Sequence, residues 1–426
     1  MDRITNIVAL IFYAAIAAPI LLFASATRAY DSPGPYAHVS VTDFVGVDPS
    51  GTEDSSIGIS RAISNGRRVV KFGCGTYLVA NAINLPSHTR ILGSGRCTVI
   101  KESPLMKVNP NQLPQTNPVR NIFSNSEFVS GNSDIEIRNI TLDAAEAPVG
   151  ANFMMLFYKC TNITVDNVLF ITNSKINTDG TAFVESSMYQ VTNNYCMGAQ
   201  NACFDQWSNA HDFVIKDNIC DGIGMRSDRC ILVNGLSSIH PPGITYNGLI
   251  TGNLIKNISG VGIGVYGLYG DKLGYTGRVH HMEISNNIIE GVGFNGIIVA
   301  EGDDLIVKGN TIKNVAKNAI KVAQASLTQP TTNIIIADNY IEEANFEKGN
   351  ESPIDIGNGS ARVNNVTLFN NFIKGNSHTN DINVRAGVSN VCISLAESQQ
   401  PPRVGSPNPE VVRFRLNCAN SSQSIP

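Results

Sequence analysis

The chain has 426 residues, of which 42% are hydrophobic and 15% charged, and its formal net charge is −4 at pH 7. This composition excludes an intrinsically disordered chain, because disorder requires high charge and few apolar residues. It also excludes the large basic field that nucleic-acid binding requires. Nucleic acid is therefore not an expected partner.

The first predicted segment is an export signal. Arg3 precedes a nearly continuous apolar run over residues 8–24, and small residues suited to cleavage follow at 24–29. We expect residues 1–29 to be removed as a signal peptide, which leaves a secreted or periplasmic protein without stable membrane association. The alternative is an uncleaved membrane anchor, since the run approaches the ~18 residues that span a bilayer.

Residues 30–99 are predicted to form an N-terminal cap and the first coil of a repeat. From residue 41 onward the pattern predicts strand, loop, helix, strand, turn and strand. Asp54 or Ser55 is placed to cap a helix over about residues 57–64. A solenoid needs such a cap over its open first coil.

Residues 100–395 contain a repeated pattern of short strands. Apolar residues two apart are followed by an asparagine, and these asparagines are Asn194, Asn218, Asn253, Asn287, Asn310, Asn339 and Asn371. Spacings of 23 to 35 residues without long helical patterns predict a parallel β-helix, in which stacked coils bury one continuous core. The asparagine amides are expected to form a hydrogen-bonded ladder. Leucine-rich repeats are the rival, but their Leu-x-x-Leu-x-Leu frame is absent.

The cap segment resembles the opening of the pectate-lyase-like β-helix proteins, which include polygalacturonases, pectate lyases, alginate epimerases and phage tailspikes. The matching residues are Asp43-Phe44, Gly51-Thr52-Glu53-Asp54, Gly75-Thr76-Tyr77 and Leu85-Pro86. With the asparagine-marked coils, the resemblance covers about residues 40–395. The predicted fold is an all-β, single-stranded, right-handed parallel β-helix with an N-terminal capping helix and a C-terminal tail at 396–426.

Nine cysteines in an exported protein predict disulfides with at least one thiol left over. The candidate pairs are Cys74–Cys97, Cys392–Cys418, Cys196–Cys220 and Cys203–Cys230. The last two pairs occupy equivalent places in adjacent coils, so they are expected to be either bridges between coils or stacks of buried thiols. Cys160 has no evident partner.

A second short strand follows each asparagine turn, and its outward residues form two columns. The first column is Asp205, Leu232, Gly264, Ile298, Lys321, Asp355 and Asn383, and the second is Trp207, Asn234, Tyr266, Ala300, Ala323, Gly357 and Arg385. In the family that the chain resembles, the active groove lies over this sheet.

Two long loops, 236–248 and 267–281, are expected to wall this groove, since long loops on a rigid scaffold commonly carry function. The predicted substrate-binding residues are Trp207, Asn234, Tyr266, Tyr269 and Lys321. The aromatic side chains would stack on sugar rings. The alternative is that the tyrosines pack within their own loops.

Two carboxylates suffice to hydrolyse a glycoside, and the gap between them sets the stereochemistry. Residues 177–180, Asn-Thr-Asp-Gly, resemble a polygalacturonase signature and nominate Asp179 as catalytic. The Asp-Asp and Gly-His that this family then carries are replaced by Asn201-Ala202 and Asp228-Arg229. Asp205 is therefore expected to supply the missing acid, and Arg229 to neutralise a substrate carboxylate. The alternative for 177–180 is an ordinary turn.

Residues 204–218 also resemble a coil of the alginate C5-epimerases, with Asp205 at the position of that family's functional aspartate. The family's histidine and tyrosine are Trp207 and Ala202 here. An epimerase or a lyase needs a base, an acid and a group that neutralises the uronate. With these two replacements, the chain lacks the histidine and the tyrosine of that machinery.

The predicted function is a secreted glycoside hydrolase or polysaccharide lyase acting on a uronate-containing polysaccharide. The alternatives are a uronate C5-epimerase and a non-catalytic glycan-binding or surface structural β-helix protein. No cofactor or zinc site is predicted, because the chain has no CxxC pair and its histidines are scattered. Calcium is expected only if the protein is a lyase. The sequence predicts no oligomeric state.

Overall fold

The computed structural model describes residues 36–111, 119–150, 152–172, 178–222, 228–235, 243–267, 277–323, 330–344, 351–358, 362–375, 380–394, 402–407 and 411–415. Contacts divide the chain into units 1–37 and 38–426, and the features below belong to the second. The predicted signal peptide, Tyr269 and Cys418 lie outside the described residues. Within the described ranges, no helix is long and apolar enough to cross a membrane.

The first strands and the helices form the cap. They are β1 Ala37–Ser40, a 3₁₀ helix Val41–Asp43, β2 Ser50–Asp54, α1 Ser56–Ile63, β3 Arg68–Lys71, β4 Gly75–Val79, β5 Ile83–Leu85, β6 Thr89–Leu92, β7 Thr98–Glu102 and β8 Phe123–Asn125. The predicted helix is confirmed to within one residue at each end. Its N-cap position is Ser55, and Asp54 Oδ1 accepts the backbone N–H of Ser56 at 3.0 Å.

The following strands form the stacked coils. They are β9 Ser133–Asp143, β10 Asn152–Tyr158, β11 Thr161–Ile171, β12 Thr178–Val184, β13 Ser187–Thr192, β14 Tyr195–Cys196, β15 Ala202–Trp207, β16 His211–Lys216, β17 Ile219–Asp221, β18 Arg229–Asn234, β19 Ile244–Thr251, β20 Leu254–Lys256, β21 Val261–Tyr266, β22 Arg278–Ser285 and β23 Ile288–Val292. The remainder are β24 Ile297–Ala300, β25 Gly302–Lys308, β26 Thr311–Val315, β27 Ile320–Ala323, β28 Thr331–Ala337, β29 Tyr340–Ala344, β30 Ile354–Ile356, β31 Val363–Phe369, β32 Phe372–Lys374, β33 Ile382–Val384, β34 Val388–Ser394, β35 Val404–Gly405 and β36 Val412–Arg415.

These strands lie in two long parallel sheets. The twelve-stranded sheet runs β5-β8-β10-β12-β15-β18-β21-β24-β27-β30-β33-β35, and the other sheet has 24 strands. Each strand pairs with its equivalent in the next coil, so the predicted β-helix architecture is confirmed. The stacking continues beyond residue 395, because β35 and β36 of the predicted tail pair with β33 and β34 and cover their open edges.

Apolar columns fill the interior between the sheets. In the twelve-stranded sheet one inward column is buried along its whole length: Phe204, Ile231, Ile263, Ile297, Ile320, Ile354 and Ile382. Burying each such side chain contributes about 1.5–3 kcal/mol, and no coil can bury its own column alone. The strands are therefore stable only as a stack.

The asparagine ladder is confirmed. Each side-chain Nδ2 donates to the Oδ1 of the next asparagine at 2.9–3.0 Å, through Asn194, Asn218, Asn253, Asn287, Asn310, Asn339 and Asn371. The same Oδ1 also accepts the backbone N–H of the preceding asparagine at 3.0–3.1 Å. The ladder therefore satisfies the polar groups of a buried turn, which would otherwise destabilise each coil.

One predicted disulfide near the N-terminus is confirmed, and the pairing of the four cysteines in the middle of the chain differs from the prediction. Cys74 and Cys97 are bridged. The other described bridges are Cys196–Cys203 and Cys220–Cys230, so bridging between coils was wrong. Each bridge crosses the interior of one coil, with Cα atoms 6.1 and 5.9 Å apart, within the usual range. Cys160 is free and buried.

Candidate functional site

The strand register confirms both outward columns of the twelve-stranded sheet. Asp205 lies beside Leu232, and Trp207 lies beside Asn234. On the other side, Asp205 is paired with Ala182 of β12. Asp205 and Trp207 therefore lie on the first coils of this face, whereas Lys321 and Asp355 lie towards its other end, as the sequence pattern predicts.

Asp179 is fixed at the start of β12. Its Oδ1 accepts the backbone N–H of Ala202 at 2.7 Å, and its Oδ2 accepts the Nδ2 of Asn201 at 3.2 Å. The side chain is only 3% exposed. Burial raises the pKa of Asp179 to about 7, although these hydrogen bonds and the charge of Arg229 oppose the rise.

Arg229 approaches Asp179 through an intermediate residue. It begins β18, and one guanidinium nitrogen donates to the Oδ1 of Asn201 at 3.2 Å while pairing with Asp228 at 2.6 Å. Asn201 therefore holds Asp179 with its amide nitrogen and Arg229 with its amide oxygen. The two residues that break the polygalacturonase pattern, Asn201 and Ala202, are the hydrogen-bond partners of Asp179.

Asp205 lies on the next coil and is 0% exposed. Within the described ranges, neither of its carboxylate oxygens has a hydrogen-bond partner. Burial, and then the nearby charge of Asp179, raise the pKa of Asp205 well above its usual value. The indole N–H of Trp207 and Arg229 favour the charged form, but the indole does not reach hydrogen-bond geometry. Asp205 therefore holds its proton to higher pH than an exposed aspartate does.

Gln206 faces the interior, where an amide needs a buried partner. The hydroxyl of Tyr189 donates to its Oε1 at 2.6 Å. The Tyr189 ring stacks between Phe183 and Phe213, with centroids 4.1 and 5.3 Å away. This inward polar contact explains why the otherwise apolar column changes at Gln206.

Two outward apolar clusters flank the carboxyl pair. The first consists of Phe128, Tyr158 and Val184, with the partly buried Leu156 and Trp207 packed against them. The second consists of Val261, Ile298 and Ala300, with Tyr266 and Ala323. Both are separate from the interior core, so they form a discontinuous apolar surface along the outer face.

Some aromatic members of the first cluster were missed by the sequence pattern. Trp207 meets the ring of Phe153 edge to face, with centroids 5.8 Å apart. Phe153 lies on β10 and is paired with Asp179. The signal was the aromatic-rich apolar run "NFMMLFY" at 152–158. The aligned columns begin at Asp205, so they leave β10 out.

The other predicted binding residues are distributed along the same face. Asn234 and Tyr266 continue the column of Trp207. Lys321 lies four coils from Asp205, about 19 Å away at the usual strand spacing. Its ammonium pairs with the fully buried Asp355, which also accepts two hydrogen bonds from the Arg385 Nε and one from its Nη2. Lys321 is therefore not part of the carboxyl cluster.

The described residues contain no group of three or more histidine, cysteine or acidic side chains arranged to hold a metal ion. The residues brought together are Asp179, Asn201, Asp205 and Arg229. They offer two carboxyls whose pKa values are raised, to about 7 for Asp179, and one fixed cation. This set can transfer protons and neutralise an anionic group.

Comparisons with known proteins agree with this architecture. The family described as "Rhamnogalacturonase A/epimerase, pectate lyase-like" matches residues 38–247. No curated protein matches the chain by sequence.

Three solved structures are similar over most of the chain. They are the mannuronan C-5 epimerase AlgE6 A-module of Azotobacter vinelandii (16% identity, TM-score 0.59, 88% of this chain and 99% of that one), a hyperthermoactive exopolygalacturonase of Thermotoga maritima (14%, 0.61, 90% and 93%) and PfbA, a surface adhesin of Streptococcus pneumoniae (15%, 0.56, 89% and 91%). At such identities the likeness establishes the fold alone. Taken with the family match over residues 38–247, it shows that the chain has the pectate-lyase-like β-helix fold.

Proposed function

We propose that the protein is an exported glycoside hydrolase that cleaves a uronate-containing polysaccharide. The observation that carries the proposal is the pairing of Asp179 and Asp205 on adjacent coils, beside Arg229. Burial raises the pKa of both carboxyls. A pair of carboxyl groups in different protonation states is the basic requirement for glycoside hydrolysis.

Each residue has a separate role in this reaction. Asp205 donates its proton to the glycosidic oxygen as the bond from that oxygen to the anomeric carbon breaks. Asp179, held by Ala202 and Asn201, takes a proton from the water that forms the new bond to the anomeric carbon. Arg229 pairs with a uronate carboxylate and lowers the cost of bringing that charge next to the acids.

The flanking apolar clusters supply binding surface on both sides of the scissile bond. Phe153 and Trp207 lie on one side, and Tyr266 lies in the cluster on the other. Aromatic faces stack on the apolar faces of sugar rings while nearby polar groups bind the hydroxyls. This arrangement suits a polymer that extends along the solenoid better than it suits a single sugar.

Export is part of the proposal. Three disulfides among the described residues fit an oxidising compartment and agree with the N-terminal apolar segment. Bacterial and plant polysaccharides with uronate residues are therefore the substrates to test first.

A product assay over such a panel distinguishes the reactions. A hydrolase releases reducing ends without a new near-ultraviolet absorbance, a lyase releases them with that absorbance, and an epimerase changes polymer composition without shortening the chain. The proposal predicts the first result. Cleavage with the absorbance, or an altered composition at constant length, would replace it by one of the other two reactions.

The burial of both carboxyls favours a second candidate, a glycan-binding protein without catalysis. Asp205 is 0% and Asp179 3% exposed, whereas the neighbouring Trp207 is partly exposed. A hydrolase must bring substrate to both acids, but a binding protein needs only the aromatic surface. Glycan binding without product, lost in Trp207→Ala and retained in Asp205→Asn, would establish this candidate.

A further inference from the structure

The third strand of each coil lies in the twenty-four-stranded sheet and carries two outward columns. The first column is largely apolar: Tyr195, Ile219, Leu254, Ile288, Thr311, Tyr340 and Phe372. The second, two residues further along each strand, is charged: Asp221, Lys256, Glu290, Lys313, Glu342 and Lys374. We call these the apolar column and the charged column.

The apolar column, which Thr311 interrupts, is exposed at Ile288 and Phe372 and partly exposed at its other positions. Ile288 is 47% and Phe372 48% exposed, and Tyr340 stacks on Phe372 with centroids 5.4 Å apart. The column runs about 24 Å from Ile219 to Phe372, at about 4.8 Å for each of five steps. An isolated exposed isoleucine is ordinary, but a long, mostly apolar stripe rimmed by charge is typical of an interaction surface.

The charged column alternates in sign at every step. Within one chain, Asp221 pairs with Lys256 at 2.8 Å, and Glu342 pairs with Lys313 at 3.1 Å and with Lys374 at 2.7 Å. Hydrogen bonds from Lys374 and then Lys313 lower the pKa of Glu342 to about 2, so its charge persists through neutral pH. From Asp221 to Lys374 the column therefore presents a fixed series of negative and positive groups.

An alternating series with six members has a particular symmetry. When it is reversed end for end, every position meets the opposite sign: Asp221 faces Lys374, Lys256 faces Glu342 and Glu290 faces Lys313. A two-fold axis perpendicular to the solenoid axis and lying in the contact plane produces this match, and it sets apolar column against apolar column. An axis parallel to the solenoid sets equal charges face to face, or sets the apolar column against charges, or, when it runs along the apolar column, leaves the two charged columns apart on opposite edges of the contact.

We propose that this face mediates an antiparallel, two-fold symmetric homodimer, whose occupant is a second copy of the chain. The interface is isologous, since the same two columns serve both partners. It joins the two apolar columns and pairs complementary charges, which favour the antiparallel arrangement over a parallel one that leaves the charges unpaired across the contact. Because the surface is only two columns wide, the dimer belongs to the weak class and dissociates on dilution. The proposal does not rest on the reaction proposed for the opposite sheet.

Sedimentation velocity of the full chain over a dilution series tests the dimer, with Ile288→Lys and Ile244→Lys as a matched pair. Ile244 is an equally exposed isoleucine, at 46%, in a strand of the same sheet but outside both columns. We expect a concentration-dependent dimer for the wild type and Ile244→Lys, and weakening by at least about tenfold in Ile288→Lys. A wild type that stays monomeric, or equal weakening by both substitutions, would overturn the proposal.

Two charge variants separate pairing between chains from pairing within one chain. Lys313→Glu places a negative charge opposite Glu290 of the other copy, and the two-fold axis repeats this repulsion. The substitution should therefore abolish the dimer. Adding Glu290→Lys restores opposite charges across the axis but leaves the alternation within each chain broken, because like charges then adjoin Lys256 and Glu342. Recovery of the dimer in the double variant, without full recovery of the melting temperature, supports the proposal. If the dimer instead weakens in each variant only in proportion to the loss in melting temperature, the proposal is contradicted.

Discussion

Asp179 and Asp205 lie on adjacent coils of the twelve-stranded sheet, and the pKa of each is raised above that of an exposed aspartate. Burial is the main cause for each, and the charge of Asp179 adds to the rise in the pKa of Asp205. Because the folded pKa values lie above the ordinary value, the unfolded chain loses protons first as pH rises. The pair therefore favours folding at acidic pH, and this advantage is lost as pH rises through the raised pKa of each group, which is about 7 for Asp179.

This linkage predicts that Asp205→Asn stabilises the protein at alkaline pH. At pH of about 8 the free energy of unfolding should exceed that of the wild type, and this excess should shrink as the pH falls toward about 3, where the aspartate is protonated in both the folded and the unfolded chain. Urea unfolding across this range measures the difference. A constant difference at all pH values would show that Asp205 is not desolvated.

Asn201→Ala is predicted to move the pH dependence of turnover. The substitution removes a hydrogen bond that favours ionised Asp179, so its pKa should rise. Because Asp179 acts as the base, the rate should rise with pH near pH 7. In the variant this rise should move to higher pH by up to about one pH unit. Asn257→Ala, which removes an exposed amide paired with Asp221, serves as the control and should leave the rise unchanged. An unshifted rise in Asn201→Ala would remove Asp179 from the role of base.

Trp207→Ala should weaken polysaccharide binding by about tenfold, because it removes a ring that contacts Phe153 on the outer face. Trp207→Phe keeps an aromatic face and should recover most of the affinity. Affinity gel electrophoresis with the cleaved polymer provides the comparison. Equal affinity in all three proteins would place the glycan elsewhere.

Lys321→Met should destabilise the fold rather than raise KM. It removes one of two cations from the fully buried Asp355, and breaking such a pair costs about 2–3 kcal/mol when another partner remains. Lys308→Met removes a more exposed pair with Glu283 and should have a much smaller effect. A raised KM with unchanged stability would instead support the substrate-binding role that the sequence predicts for Lys321.

The fold was predictable because its signals recur. A single coil gives a weak pattern, but seven asparagines in one column fix the register of the strands, and that register places Asp205 and Trp207 on the outer face. The capping helix was predictable for a local reason, since Asp54 and Ser55 precede an amphipathic segment.

Contacts across a coil could not be predicted in the same way. Cys196 and Cys220 occupy equivalent places, and so do Cys203 and Cys230, but this repetition does not show that each bridge crosses the interior of its own coil. Similarly, Asn201 differs from the family pattern, and only the three-dimensional arrangement shows that its amide joins Asp179 to Arg229.

Turnover by Asp205→Asn tests the central claim most directly. The wild type should release reducing ends from a uronate polysaccharide, and the variant should lose at least about 100-fold in kcat while keeping its circular dichroism spectrum and glycan affinity. Asp303→Asn, an acid on the other sheet, should retain full activity. If Asp205→Asn turns over at the wild-type rate, Asp205 is not the acid and the proposed site is wrong.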